Sequence, residues 1–295
     1  IGGSDNQAVS ASLRYFSLGE IDMTDDAGVA VNSVNPYELA FDVGYSRKLS
    51  ESFSMGVALR YIYSDLAFSD AYSAEQQTGA SAFAADISGF LTTYPIIGRN
   101  ECQWSWGFNI SNIGSKVSYN DGNDPAFLPT NFRLGTTFTF PLAQYNNLAL
   151  SFDVNKLLVP TRPRESDYTA NDGTFDSEGY ENALDEWRNT SSISGIFKSF
   201  SDAPGGFKEE LKEINFSVGA EYNYNQQFFV RAGYFYENPD KGNRQYFAFG
   251  AGFSLNVVQL DASYMIATAQ SSPLDQTLRF SLTFDMDGLK SLLGR

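Results

Sequence analysis

The chain has no histidine, one cysteine, and only 20 Lys and Arg against 35 Asp and Glu in 295 residues. Without His, a Ser-His-Asp triad, a His-ligated metal and a Cys-His nucleophile pair are all impossible. With Cys102 alone, no intrachain disulfide forms. A net charge of −15 argues against nucleic acid as a partner, because phosphate binding needs clustered cations. No run of about 18 apolar residues occurs, so no transmembrane helix is expected. Ile1 is followed by neither a charged n-region nor an apolar h-region, as expected of a mature form or a fragment.

What the chain does have is 25 Phe, 17 Tyr and 25 Gly, at a mean hydropathy of −0.27. Aromatics without apolar blocks point to alternation, and the dominant period is two. Phe53, Met55, Val57, Leu59, Tyr61 and Tyr63 are interleaved with Ser54, Gly56, Ala58, Arg60 and Ile62. Trp104, Trp106, Phe108 and Ile110 repeat the pattern, as do Phe132, Leu134, Thr136, Phe138 and Phe140. Alternation over about ten residues is the strand signal. Twelve strands are expected, near 7–18, 35–48, 52–64, 81–94, 102–117, 129–140, 147–159, 212–224, 226–237, 245–255, 257–267 and 277–284. Most are longer than a soluble strand and match the length of about 9–11 residues that crosses a bilayer at a tilt.

A soluble sandwich and a membrane barrel predict different charge patterns. The barrel turns its apolar parity to lipid and a small, polar parity to the lumen. The mid-strand charges are Arg14, Glu38, Asp42, Arg60, Asp86, Arg133, Asp153, Glu221, Arg231, Asp261 and Arg279, and all eleven fall on the polar parity. Five are positive, six are negative and none is Lys. A solvated sandwich face would carry more Lys, whereas balanced charges can pair inside a lumen. These eleven are therefore expected to line the lumen. The connections alternate short and long, the long ones being 19–34, 65–80, 118–128, 160–211, 238–244 and 268–276. Outer-membrane barrels have short periplasmic turns and long extracellular loops, so the long set is expected outside. Tyr61, Tyr63, Tyr94, Tyr222, Tyr224, Tyr234 and Tyr236 gather at strand ends, where interfacial girdles sit. The expected fold is all-β: a transmembrane antiparallel up-and-down β-barrel, one domain over 1–284, with a periplasmic tail at 285–295.

The stretch 160–211 breaks the rhythm. It opens with Pro160 and Pro163, runs through a polar tract from Ser166 to Glu181, and then offers two short helices. One is Ala183 to Asn189. The other carries Ile193, Ile196, Phe197 and Phe200 at i, i+3, i+4, i+7, and Ala203-Pro204-Gly205-Gly206 ends it. Loops this long with structure of their own are usually functional. The stripe either docks a partner, touches lipid, plugs the mouth or packs on the loop itself. The Asp- and Gly-rich tract fails the EF-hand spacing, because Gly173 would require an oxygen ligand where Tyr168 stands. Asp121-Gly122-Asn123-Asp124 is a turn. No metal and no cofactor are expected. The candidate partner contacts are the loop aromatics Phe68, Tyr72, Phe127, Tyr168, Trp187, Phe197 and Phe200, since large aromatics anchor interfaces.

Five runs resemble one family. They are Ser12-Leu-Arg-Tyr-Phe-Ser-Leu-Gly-Glu20, Pro129-Thr-Asn-Phe-Arg-Leu-Gly135, Asp153-Val-Asn-Lys-Leu-Leu-Val-Pro160, Ser201-Asp-Ala-Pro-Gly-Gly-Phe-Lys-Glu-Glu-Leu-Lys-Glu213 and Arg231-Ala-Gly-Tyr-Phe-Tyr-Glu237. Together they resemble the PorV (LptO) outer-membrane barrels of the type IX secretion system, a FadL-like family. The resemblance implies a fourteen-stranded barrel, so about two strands are expected ahead of Ile1. It also implies a non-enzymatic carrier with the SprA/Sov translocon as partner. Such a carrier takes cargo by its C-terminal signal domain and brings it to the attachment complex of PorU, PorZ and PorQ. The alternative is a FadL-type transporter of hydrophobic small molecules, which the small and charged lumen parity disfavours. A lipid deacylase is disfavoured too, since no His exists to activate a Ser.

The charge has an address. Connections 19–34, 65–80, 118–128 and 160–210 hold −4, −3, −2 and −6, which together equal the whole net charge. The acidity thus belongs to the expected outer face. There it repels anionic lipopolysaccharide unless divalent cations bridge the two, and it steers basic partners.

Overall fold

The computed structural model describes residues 6–24, 28–65, 79–119, 125–170, 172–269, 272, 274–286 and 288. Phe68 and Tyr72 lie outside the described residues, as do most of the expected tail 285–295 and the Asp121–Asp124 turn.

Among the described residues, sixteen strands run in chain order: β1 Gln7–Ser17, β2 Ile21–Thr24, β3 Ala30–Val34, β4 Tyr37–Lys48, β5 Phe53–Asp65, β6 Ala80–Thr93, β7 Ile96–Ile97, β8 Asn100–Glu101, β9 Gln103–Gly114, β10 Asn131–Ala143, β11 Asn146–Leu157, β12 Ile214–Tyr224, β13 Phe228–Tyr236, β14 Tyr246–Leu255, β15 Val258–Ala267 and β16 Leu278–Phe284. Three helices stand between β11 and β12: α1 Ser177–Asn189, α2 Ser192–Lys198 and α3 Phe207–Lys212. The twelve long strands form one sheet in the order β1-β4-β5-β6-β9-β10-β11-β12-β13-β14-β15-β16, while β2-β3 and β7-β8 are separate two-stranded pairs. Every long strand therefore pairs with its neighbours in sequence, which is an up-and-down ladder, and the registers are antiparallel.

Contacts divide the chain into two compact units. The first holds Ile1–Gly89, Asn109–Phe132 and Leu157–Glu210, and the second holds Phe90–Phe108, Arg133–Lys156 and Leu211–Arg295.

In the first unit, the interior is small. Ala82, Ala84 and Leu128 form a buried cluster with Ile62 and Val117 packed against it. The large apolar side chains point outward instead: Leu13, Leu59 and Phe83 are each about two-thirds exposed. The alternation explains this. Leu59, Tyr61 and Tyr63 share one face of β5, and Arg60, Ile62 and Ser64 share the other. A wide apolar face left open is what a lipid-facing sheet presents and what a soluble domain avoids.

The second unit repeats the arrangement. On β12 the exposed parity is Phe216, Val218, Ala220, Tyr222 and Tyr224, and the covered parity is Ser217, Gly219, Glu221 and Asn223. The turn from β12 to β13 is tight: Tyr224 pairs with Phe228, and the Gln227 N–H donates to the Tyr224 carbonyl at 3.0 Å. Asn225 and Gln226 between them both have positive φ, 53° and 54°, as the primed turns of hairpins require. Asn225 accepts the left-handed region readily, and Asn223 Oδ1 takes the Gln226 N–H at 2.7 Å.

Candidate functional site

In the first unit, register places Asp42 opposite both Ser12 and Arg60, and Glu38 opposite Ser64. Arg60 donates through Nε to Asp42, through Nη1 to Asn112 and through Nη2 to Asp86 at 2.9 Å. Ser12 adds a bond to Asp42 at 2.9 Å. Arg14 approaches Asp42 only to 3.8 Å and keeps most of its side chain exposed. Asn112 sits inside β9 at φ 60°, and the same polar group of side chains supports that break. Its N–H donates to Asp86 at 2.8 Å, and its carbonyl accepts from Thr130 at 2.8 Å. Glu38 accepts from Ser64, which in turn accepts from Tyr119. A recess of about 360 Å³ lies between Arg14, Phe16, Ile62, Tyr119 and Phe127.

In the second unit, Glu221 stands opposite Arg231. Arg231 bridges Glu221 and Asp261, both at 2.5 Å, and Gln259 donates to Asp261 at 2.8 Å. Arg133 donates to Asn155 at 2.8 Å. Asp153 lies where a Cβ on Gly135 would stand, so that glycine makes its room. Arg279 is opposite Ser263 and lines a recess of about 480 Å³ with Gly219, Gly233, Gly250 and Ser281. Beyond the strand ends, Lys156 and Lys241 both reach Glu213, at 2.7 and 3.0 Å. Glu237 is buried and accepts three bonds from Arg244, from N at 3.0 Å, Nε at 2.8 Å and Nη2 at 2.6 Å. Burial pushes the Glu237 carboxyl up, yet the Arg244 bonds prevail and hold it below the usual carboxylate range.

The insertion between β11 and β12 belongs mainly to the first unit. Its first helix is longer than expected. Asp176 caps it by accepting from Gly179 N at 2.9 Å, so α1 begins at Ser177 rather than Ala183. Tyr180, Leu184 and Trp187 lie along one face. Trp187 packs edge-on to Phe127 at 5.1 Å and donates to the Pro160 carbonyl at 3.0 Å. Lys116 caps the other end, donating to the Arg188 carbonyl at 2.6 Å from over the Phe127 ring. Burial lowers the Lys116 ammonium below its ordinary value. Tyr168 stacks edge-on to Tyr180 at 5.9 Å.

The second helix inverts the simple amphipathic expectation. Small residues of α2 and its C-terminal cap turn inward: Gly195 is buried and the cap Ser199 is fully buried. A Cβ on Gly195 would lie 3.0 Å from both Phe127 and Pro160, so glycine permits that contact. The apolar residues face out, with Ile193 at 55%, Phe197 at 73% and Phe200 at 53% exposure. The third helix is held by its own acids. Glu210 is buried and accepts from Ala203 N at 2.8 Å, and Glu209 accepts from Gly205 N at 2.6 Å.

The loop aromatics thus fall into two groups. Phe127, Tyr168 and Trp187 hold the insertion together, while Phe197 and Phe200 project from it. Exposed Phe207, at 76%, and Phe175, at 42%, were not singled out by sequence. Phe207 follows the Gly205-Gly206 pair directly, and this start of α3 was its available signal.

A family model described as type IX secretion system protein PorV matches residues 4–164. No curated protein matches the chain. Among solved structures, the P. putida toluene transporter TodX is 9% identical, covers 95% of this chain and 77% of its own, and has a TM-score of 0.49. A Pseudomonas aeruginosa FadL homologue is 10% identical over 95% and 73%, with a TM-score of 0.35. A mutant Rh. blastica porin is 11% identical over 95% and 90%, with a TM-score of 0.32. Superpositions this loose leave the topology above to stand on its own registers.

Proposed function

The chain belongs to the PorV family of the type IX secretion system, and from that premise we propose that it is a non-enzymatic carrier of secreted cargo. It is an outer-membrane protein with an antiparallel β-barrel fold. In this reading it binds the C-terminal signal domain of cargo leaving the SprA/Sov translocon. It then delivers that cargo to the attachment complex of PorU, PorZ and PorQ. The polar parity carrying Arg60, Asp86, Arg231 and Asp261 faces the lumen, and the insertion with its long neighbours faces outside.

One observation carries the reading beyond the family. A folded insertion, braced by Trp187, Phe127 and Lys116, holds large apolar side chains away from its own core. Rigid elements that present exposed aromatics suit capture of another chain. The polar parity suits a fatty ligand poorly, because it is small and charged and its Arg60 and Arg231 are already paired with carboxylates.

The test is affinity purification of the tagged protein from outer membranes. Co-purification with a very large barrel and with secreted proteins is expected. Stoichiometric lipid in the barrel without protein partners would replace the carrier with a small-molecule transporter.

A further inference from the structure

We infer that the recess in the first unit, walled by β1, β4, β5 and the residues that follow β9, binds a primary ammonium on a short apolar stem, with Glu38 as its anchor. This goes beyond the carrier reading and does not depend on it. The charges on this wall do not balance. On β1, β4, β5 and β6 two guanidiniums, Arg14 and Arg60, stand with three carboxylates, Glu38, Asp42 and Asp86. Arg60 pairs with Asp42 and Asp86, and Arg14 reaches Asp42 at 3.8 Å. Among the described residues, Glu38 is the carboxylate of this group left without a cation. Ser64 donates to Glu38 Oε1 at 3.1 Å and itself accepts from Tyr119 at 2.8 Å. Both hydroxyl protons of that chain are committed. The chain thus orients the carboxylate and leaves its Oε2 to an outside donor.

The surroundings of Glu38 choose the kind of donor. Register puts Phe16 opposite it, and Ile62, Val117, Phe127 and Leu128 help to close a recess of about 360 Å³. A carboxylate set among apolar walls suits an ammonium whose stem is buried while its head is paired. A strongly hydrated metal ion would find no further carboxylate on those walls. The volume suits a stem of a few carbons. Arg14 does not turn the recess toward anions. Its guanidinium leans to Asp42, and its side chain is 69% exposed, where water and salt screen it.

The experiment uses the full chain in nanodiscs and titrates n-pentylamine, 1-pentanol and pentanoate by saturation-transfer NMR. Pentylamine is expected to bind most tightly of the three. Shortening its stem to that of propylamine should weaken binding by up to about fourfold per methylene removed. Glu38→Gln is nearly isosteric and still offers the Ser64 hydroxyl an acceptor, so the fold is kept. In that variant pentylamine should bind roughly tenfold to a hundredfold more weakly, the effect of losing a charge-assisted bond, while pentanol is unaffected. Nα-acetyl-lysine methylamide separates the two sources of such a group. Binding at least as tight as that of pentylamine assigns the recess to a lysine side chain of a polypeptide, and binding of pentylamine alone assigns it to free amines. If pentylamine and pentanol bind alike and ignore Glu38→Gln, the recess is merely apolar and the inference is overturned. Tighter binding of pentanoate, lost in Arg14→Gln, makes Arg14 the anchor and overturns it too. So does a failure of pentylamine to bind the unaltered protein, and in each of these cases the carrier reading stands or falls separately by its own purification test.

Discussion

Arg60 is the residue whose removal should cost the strand ladder most. Its side chain is 11% exposed, and those of its two partners Asp42 and Asp86 are 9% and 17% exposed. Arg60→Met keeps length and apolar bulk but leaves covered Asp86 without a cation and Asp42 with only Arg14 at 3.8 Å. Breaking a buried ion pair by deleting one partner costs about 3–5 kcal/mol, because the remaining charge is uncompensated. Here two carboxylates lose their main cation, and Asn112 loses the donor to its side-chain oxygen. The upper part of that range is therefore expected. Deleting the exposed pair Lys212–Asp240, whose side chains are 44% and 66% exposed, should cost under about 1 kcal/mol. The assay is reversible urea unfolding of the protein in lipid vesicles, followed by fluorescence of Trp104 and Trp106. Arg60→Met with Asp42→Asn and Asp86→Asn removes all three charges and should recover most of the loss, since the penalty is electrostatic and not a matter of packing. An Arg60→Met midpoint within about 1 kcal/mol of the parent would refute the claim that this cluster is desolvated. Failure of the triple variant to recover would refute its electrostatic origin.

Other perturbations separate the insertion from the ladder. Trp187→Ala removes the edge contact to Phe127 and the bond to Pro160, so limited proteolysis should cut within 160–211 while the midpoint of ladder unfolding stays put. Gly195→Val drives two methyls toward Phe127 and Pro160, which already stand at 3.0 Å from a bare Cβ; it should displace α2 and lower cargo binding without touching Phe197. The Glu237 carboxyl is held below its ordinary value, so its stabilisation is complete above the unfolded value near about pH 4.3 and is lost as pH falls through the lower folded value. Amide exchange in 237–245 should accelerate below about pH 4, and Glu237→Gln should abolish that acid dependence.

Period two was legible in nearly every long strand because each has one face of large apolar groups and one of small or charged groups. The expected span 52–64 is observed as β5 Phe53–Asp65, and 245–255 as β14 Tyr246–Leu255. The pairs β2-β3 and β7-β8 were not legible, since two to five residues are too few for alternation to stand out. The early start of α1 was missed for a different reason. Glu178 and Glu181 make the segment read as a polar loop, although Tyr180, Ala183, Leu184 and Trp187 already trace i, i+3, i+4, i+7. The α2 stripe was legible as a stripe but not in its direction. Periodicity identifies a face; which face is buried was decided by Gly195, small enough to let Phe127 and Pro160 come close, and by the buried Ser199 that follows α2. The ion pairs among the polar-parity charges, Arg60 with Asp42 and Asp86 and Arg231 with Glu221 and Asp261, were also beyond the sequence, because they depend on register. Arg60 joins three different strands through Asp42, Asp86 and Asn112.

The acidity of the insertion is less uniform than its formal −6. Asp167 pairs with Arg164, Asp185 with Arg188 and Glu186 with Lys198, while Glu209 and Glu210 bond to the backbone of their own loop. Asp176 is engaged as a helix cap, and Asp172 holds the Thr174 N–H at 2.9 Å, which keeps its carboxyl below the usual range. A carboxylate that already has a cation at hydrogen-bond distance contributes little field at the distance of an approaching partner. The far field of this loop therefore comes chiefly from acids without such a cation, and on α1, among the described residues, those are Glu178 and Glu181. They stand on the helix whose Glu186 is tied to Lys198, so one insertion carries both the steering charge and the outward aromatic. An apolar patch alone would collect any hydrophobic chain, and an acidic patch alone any basic one. Joined on a braced insertion, the two requirements must be met at once, which turns general stickiness into selection.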